Sequence, residues 1–374
     1  MKIFNGTILT GDGQVYPNGC VSFQDGRITA LGPMRAGEEV SGEDYDAGGG
    51  YILPGLVDPH CHVGSGPEAV GSTEYSELYD PLVPHYDAAD AFLPVDPAIR
   101  KALRRGITTV VGGPGSTALA GGQLAAFKLN GAYAPQACIK RACAVKFALG
   151  EAPKSAFGGR GRAPGTRMAA AALLRRILDE TRACLDTGKT PSAACKAMLP
   201  LLEGKIPAHI HAQRADDIRF ALSLAEEYHF RVVIVHGQQS PQLIEEMRRV
   251  GAGVIFGPLF FTSRDMESDG ISFRSPEITR KAGILTAVCT DACPGLSSVQ
   301  LLPTTASLLA REGMDPMDAL RCVSLDAARL CGIENRVGSL AVGKDADIAV
   351  YDRFPLELTA RVRAVFVDGR RAAL

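Results

Sequence analysis

The chain has 374 residues, 46% hydrophobic and 22% charged, with a formal net charge of −1. That length buries a large core and exceeds the usual single-domain size, and so even a charge balance gives no electrostatic footing for nucleic acid or an anionic membrane surface. No apolar run approaches the roughly 20 residues of a membrane helix, the opening M-K-I-F-N-G-T turns polar too early for a secretory leader, and 10 cysteines without a regular framework suit reduced thiols, so a cytoplasmic protein is expected.

Residues 1–50 read as short strands: T-I-L at 7–9, V-S-F at 21–23 and R-I-T-A-L at 27–31, with Asp25-Gly26 as a hairpin turn. The far end has the same texture in A-D-I-A-V-Y (346–351) and V-R-A-V-F-V (362–367), followed by Asp368-Gly369. Each end is too small for a core of its own, so the two are expected to pack together as one small sheet domain.

Between them a different cadence repeats: helix, glycine or polar break, then a β-branched strand. Residues 98–105 lead through Gly106 into 107–111, 216–228 into 231–235, 242–249 through Gly251 into 254–256, and 276–282 through Gly283 into 284–289. Such alternation predicts a parallel sheet with crossover helices. Over this length it fits a closed eight-stranded α/β barrel at least as well as an open doubly wound sheet, and no G-x-G-x-x-G follows the first strand. The stretch 151–167, E-A-P-K-S-A-F-G-G-R-G-R-A-P-G-T-R, is too rich in Gly, Pro and Arg for regular structure and reads equally as a lid or a plain exposed loop. A solvated helix over 168–185 follows it.

The chemistry gathers at strand ends. In 51–64, Y-I-L-P-G-L-V-D-P-H-C-H-V-G, a short apolar run closes on Asp58, His60 and His62. In an extended strand His60 and His62 share a face while Cys61 points away, and two adjacent imidazoles suit a divalent cation. P-A-H-I-H (207–211) is a second H-x-H; the ligand belongs nearer the strand end, which favours His211 and leaves His209 one layer deeper as a supporting group. V-V-I-V-H-G (232–237) ends a strand on His236, and A-V-C-T-D-A (287–292) places Asp291 equivalently. Ligands at the carboxyl ends of several barrel strands converge on one face, which is how residues so distant in sequence meet around one ion. Cys289 and Cys293 read as packing residues, since structural zinc favours C-x-x-C pairs that the chain lacks. His229 reads as a partner for a helix C-terminus, and His85 as a surface histidine.

The string Y-I-L-P-G-L-V-D-P-H-C-H with its downstream strand-end ligands resembles the amidohydrolase superfamily of metal-dependent hydrolases. Within it, the chain is most similar to the imidazolonepropionase-related group, which includes cyclic-amide hydrolases, deaminases and dipeptidases. The resemblance covers essentially the whole chain, with V-G-S-L-A-V-G-K-D-A-D-I-A-V-Y-D (337–352) resembling the family's return to its small β domain. It implies an α/β fold: a (β/α)8 TIM-type barrel over 51–334 and a small β-sandwich built from 1–50 and 335–374. It also implies a divalent metal, zinc first among candidates, held by His60, His62, His211, His236 and Asp291. Relatives differ on the fourth strand, where a carboxylated lysine bridges two ions or a glutamate serves instead. Here C-A-V-K-F-A-L-G (143–150) offers Lys146, whose ammonium form burial disfavours, and Glu151 follows as the alternative ligand. A carboxylated Lys146 implies two ions and its absence one.

The function so implied is hydrolysis of an amide, cyclic amide or peptide-like C–N bond in a small molecule by a metal-activated water, with Asp291 as metal ligand and proton carrier. Deamination of a ring amine is the nearest alternative; a catalytically inactive binding protein is disfavoured because every ligand position is filled. Arg214 and the arginines of 160–167 are candidate receivers of a substrate carboxylate or plain solvated residues. The loops Gly112-Gly113-Pro114-Gly115-Ser116 and Gly121-Gly122-Gln123 bring backbone close to a ligand or are simple turns. No nucleic-acid or membrane partner is expected, and a homo-oligomer is suggested by fold analogy alone.

Overall fold

The computed structural model describes residues 1–374 except 36, 38, 67–73, 131, 132, 262–265 and 294. The chain opens with β1 (Lys2–Leu9), β2 (Val15–Gln24), β3 (Arg27–Pro33), β4 (Tyr45–Asp46) and β5 (Tyr51–Pro54). A second set follows: β6 (Leu56–Cys61), β7 (Ile107–Gly112), β8 (Ala120–Lys128), β9 (Cys138–Ala148), β10 (Ala208–Ala212), β11 (Val232–His236), β12 (Gly253–Phe256) and β13 (Thr286–Val288). The chain closes with β14 (Ile348–Tyr351), β15 (Val362–Val367) and β16 (Arg370–Arg371).

The chain ends do combine. Their strands form one sheet in the order β16-β15-β14-β5-β1-β2-β3, with β4 paired to β1. Asp25 and Gly26 take φ of 50° and 78°, the double positive-φ pattern of a tight hairpin, and Asp368 and Gly369 repeat it at 50° and 71°. Hydrogen bonding links all these strands into a single sheet, whereas two facing sheets are expected from a sandwich. This sheet bends over its own core: Ile28 N donates to Lys344 O (2.9 Å) and Ala346 N to Gly26 O (2.8 Å). The rings of Phe23 and Phe366 lie 5.9 Å apart above Ile3, Val21, Ile52, Ile348 and Val350, all fully buried.

The sequence predicts that the barrel begins at residue 51. Instead, Tyr51 and Ile52 pair with Thr7 and Ile8 of β1, and β5 pairs along its length with β14. Gly55 then hands the chain to the second sheet. A Cβ there would stand 2.1 Å from Thr108 Oγ1, so only glycine lets the backbone cross between the sheets at this point.

The second sheet runs β6 to β13 in sequence order. β6 and β7 are parallel, as are β9 through β13 in succession, but β8 is antiparallel to both neighbours. The all-parallel expectation is therefore corrected at one strand. The reason is length: 113–119 is too short for a parallel crossover, which takes about a dozen residues or more, but ample for a reversal. The sheet is nearly closed, because the exit of β13 touches β6: Asp291 N donates to His60 O (3.1 Å) and Thr290 N to Asp58 Oδ1 (3.3 Å). The helix Leu325–Leu330 lies against β6, β12 and β13 and shares a buried cluster with Val57, Val111, Ile255 and Cys289.

The helices expected in the alternation are present, as Pro97–Leu103, Ala215–Tyr228, Ile244–Val250 and Ser275–Lys281. The 151–167 stretch departs from expectation, since Glu151–Gly158 is helical. Pro153 falls in the first turn, where its missing N–H is no loss, and Pro153 and Phe157 are both buried. The long helix Arg167–Thr187 follows, capped by the Thr166 side chain.

Candidate metal centre

β6 delivers His60 and His62 to one side, and the turn after β13 delivers Asp291 between them. Asp291 Oδ1 stands 3.5 Å from His60 Nε2 and 3.4 Å from His62 Nε2. His236 closes on His60 with ring centroids 5.6 Å apart, and His211 packs edge-on against His236 at 4.4 Å. His236 and Asp291 both have left-handed backbones, with φ of 73° and 49°. Such conformations cost a non-glycine residue free energy and persist where surrounding structure imposes them, as at functional sites.

The protonation pattern follows from the partners. His62 Nδ1 meets Gly113 O at 3.0 Å and His236 Nδ1 meets Gly257 O at 2.5 Å. A carbonyl only accepts, so both rings carry a proton on Nδ1, and in the neutral form of each ring that leaves Nε2 unprotonated. His211 Nδ1 meets Ser116 Oγ at 2.8 Å. His60 is buried with neither ring nitrogen hydrogen-bonded, an arrangement that costs free energy unless something fills it. Burial pushes the His60, His211 and His236 imidazoles below their ordinary value, keeping them neutral. Burial works to raise the Asp291 carboxyl, but its neighbours His62, His236 and Lys146 leave it below the ordinary carboxylate range. Imidazole nitrogens beside an ionised carboxylate, with donor atoms of His60, His62 and Asp291 all within 4.8 Å of one another, fit a divalent cation.

Lys146, on β9, is fully buried beside His209 in register. Its Nζ donates to Ser116 Oγ (3.2 Å) and Phe147 O (3.4 Å), and burial pushes its pKa down to about 8. His209 lies two residues before His211 on β10, with Nε2 against Leu330 O (3.1 Å) and its pKa pushed by burial to about 4. Glu151 does not join the cluster: it opens the Glu151–Gly158 helix, where Lys154 and Arg167 each reach its carboxylate at 2.8 Å. Arg214 pairs with Asp216 through Nε and Nη2, at 3.0 and 2.8 Å. Arg167, from the same arginine-rich stretch, holds Asp217 by a two-pronged pair at 2.9 Å. His85 and His229 are exposed, the latter as the left-handed cap of Ala215–Tyr228.

Three further residues around the centre have contacts that only the structure assigns. Asp58 accepts from Thr290 Oγ1 and from the backbone of Thr290 and His60; burial raises its pKa to about 7. Tyr75 stacks on the His62 ring at 4.2 Å. Ser116 joins His211 to Lys146. Asp58 lies in the H-x-H string and could have been suspected from that, whereas Tyr75 and Ser116 sit in loops whose approach only folding sets.

The model of the amidohydrolase family matches residues 273–372. The amidohydrolase tasK of Hapsidospora irregularis is 25% identical over 96% of this chain, which spans only 40% of that relative's length. The imidazolonepropionase of Sphingopyxis alaskensis is 23% identical, covering 95% of this chain and 92% of its own. A crystal structure of an amidohydrolase from Thermotoga maritima superposes with a TM-score of 0.93 at 29% identity, over 100% of this chain and 99% of that one.

Proposed function

The chain belongs to the amidohydrolase superfamily, and from that premise we propose that it cleaves an amide, cyclic amide or peptide-like C–N bond of a small molecule at a centre held by His60, His62, His211, His236 and Asp291, in a barrel of the (β/α)8 type with one strand reversed. The observation that carries the proposal is His60: a buried imidazole, unpartnered at both nitrogens, facing Asp291 beside two histidines whose tautomers leave Nε2 free. A divalent ion bound there, zinc being the first candidate, supplies Lewis acidity that polarises the scissile carbonyl and makes a water acidic enough to lose its proton near neutral pH.

The protein's own groups do the rest. Asp291, kept ionised, accepts the proton of the attacking water and passes it to the leaving nitrogen. Asp58, through Thr290, holds the turn carrying Asp291 against β6. Lys146 is the fourth-strand candidate for a second ion, since burial leaves its amine readily deprotonated and therefore able to take up carbon dioxide, while Glu151 is neutralised by Lys154 and Arg167. The test is elemental analysis of the purified chain, with turnover assayed on N-acyl amino acids, dipeptides and cyclic imides before and after chelation. One or two equivalents of metal and chelator-sensitive cleavage support the reading. A chain that takes up no divalent metal and turns over no amide overturns it, and ammonia released from ring amines instead would assign deamination.

A further inference from the structure

We propose that Ser116 is a positioning residue for the metal centre: its hydroxyl orients His211 and Lys146 together, at the end of a turn that also fixes His62. The inference rests on the metal-centre reading above and extends it to a residue that coordinates nothing itself.

The turn between β7 and β8 reaches three strands' worth of site residues at once. Gly113 O accepts from His62 Nδ1–H at 3.0 Å, and three residues on Ser116 Oγ meets His211 Nδ1 at 2.8 Å and Lys146 Nζ at 3.2 Å. Between them Gly115 N donates to Tyr75 O at 2.8 Å, and Tyr75 lays its ring on His62 at 4.2 Å. His62 is thus held at its edge by Gly113 and on its face by Tyr75, both tied to one turn. The approach is close at each step: a Cβ on Gly113 would stand 2.8 Å from Leu124 Cδ2, and one on Gly115 2.9 Å from Tyr75 Cδ2.

His211 differs from the other two oriented histidines. Theirs are backbone carbonyls, which fix the tautomer outright, whereas His211 depends on one side-chain oxygen. A serine oxygen has two lone pairs, so it can accept from Lys146 Nζ and from His211 Nδ1–H together. That arrangement leaves His211 Nε2 unprotonated, as a ligand must be, on a ring packed against His236. Without the hydroxyl, both the imidazole and the buried amine lose their partner and His211 is free to turn or exchange tautomers.

The experiment loads the metal-free protein with Co2+ and compares wild type, Ser116→Ala and Ser116→Thr by affinity against a competing chelator and by the visible spectrum of the bound ion, with melting of the metal-free forms as a check on folding. Ser116→Ala is expected to lose about 10–100-fold in affinity, the usual effect of removing a group that orients a ligand, with altered visible bands; Ser116→Thr, which keeps the hydroxyl, should stay close to wild type. Wild-type affinity and bands in Ser116→Ala would overturn the assignment, as would an equal loss in Ser116→Thr. If Ser116→Ala does not fold, Ser116→Gly takes its place with the same two outcomes. A wild-type chain that takes up no Co2+ would remove the metal-centre reading and this one with it, whereas normal loading of both wild type and Ser116→Ala would remove this one alone.

Discussion

On the proposed reading Asp291 has two tasks that one substitution separates. Asparagine keeps its shape and a coordinating oxygen but cannot hold a proton between water and leaving group. Asp291→Asn is therefore expected to retain most of its metal by elemental analysis while turnover falls about 10²–10⁴-fold, the range for a lost general acid–base group. On the proposed reading His60→Ala should differ by losing the metal itself, because among the described residues neither ring nitrogen of His60 has a hydrogen-bond partner. Much of this set was legible in the chain: alternation of side chains along a strand puts His60 with His62, and favours His211 over His209 as the one nearer the mouth. What could not be read were Ser116 and Tyr75, because their contacts depend on where loops land.

At the scale of elements, single positions decide which sheet a strand enters. Gly55 divides a continuous apolar string into β5 and β6, and its contact with Thr108 predicts that Gly55→Val destabilises the fold by about 1–3 kcal/mol through overpacking, measured by chemical denaturation. Helix Leu325–Leu330 depends on Asp326, whose carboxylate is fully buried and receives Arg280 at 2.7 Å, Arg321 at 3.2 Å and Arg329 at 3.1 Å. Asp326→Ala should cost about 3–5 kcal/mol, since it leaves partly buried guanidiniums without their counter-charge. Asp318 offers a pH test in the same network. The Arg280 hydrogen bond holds its carboxyl below the ordinary 3.8, so its contribution is present above that value and is lost as pH falls through the lowered folded value. Asp318→Asn should flatten the acid limb of a stability–pH curve in that window, by well under about 1 kcal/mol because the group is partly exposed.

At the scale of the molecule, Lys128 joins the two sheets. It ends β8, is buried, and meets Asp345 (2.6 Å), Asp347 (2.9 Å) and Asp368 (2.6 Å), all from the carboxyl-terminal part of the chain. Burial works against its charge, but the three carboxylates together raise its pKa above the ordinary lysine value. Lys128→Met should lower stability by about 3–5 kcal/mol, by leaving the buried Asp347 carboxylate without its cation while Asp345 keeps Arg27 and Arg336. Thermal unfolding should then separate into two steps as the terminal sheet loses its hold on the barrel, whereas a single transition at the wild-type temperature would contradict this role. The reversed β8 matters here, since its direction carries Lys128 to the opposite end from the 113–119 turn.

The amino-acid sequence by itself determined the alternation of helix and strand, the pairing of the two β-rich ends and the spacing of histidines and aspartate at strand ends, because these follow from local periodicity and from the short range over which a strand alternates its side chains. Only the tertiary structure decided the direction of β8, the sheet that takes Tyr51–Pro54, the helix inside 151–167 and the withdrawal of Glu151 and Arg214 into ion pairs. Those outcomes depend on which distant groups compete for the same space and the same charge, and that competition exists only once the chain has closed on itself.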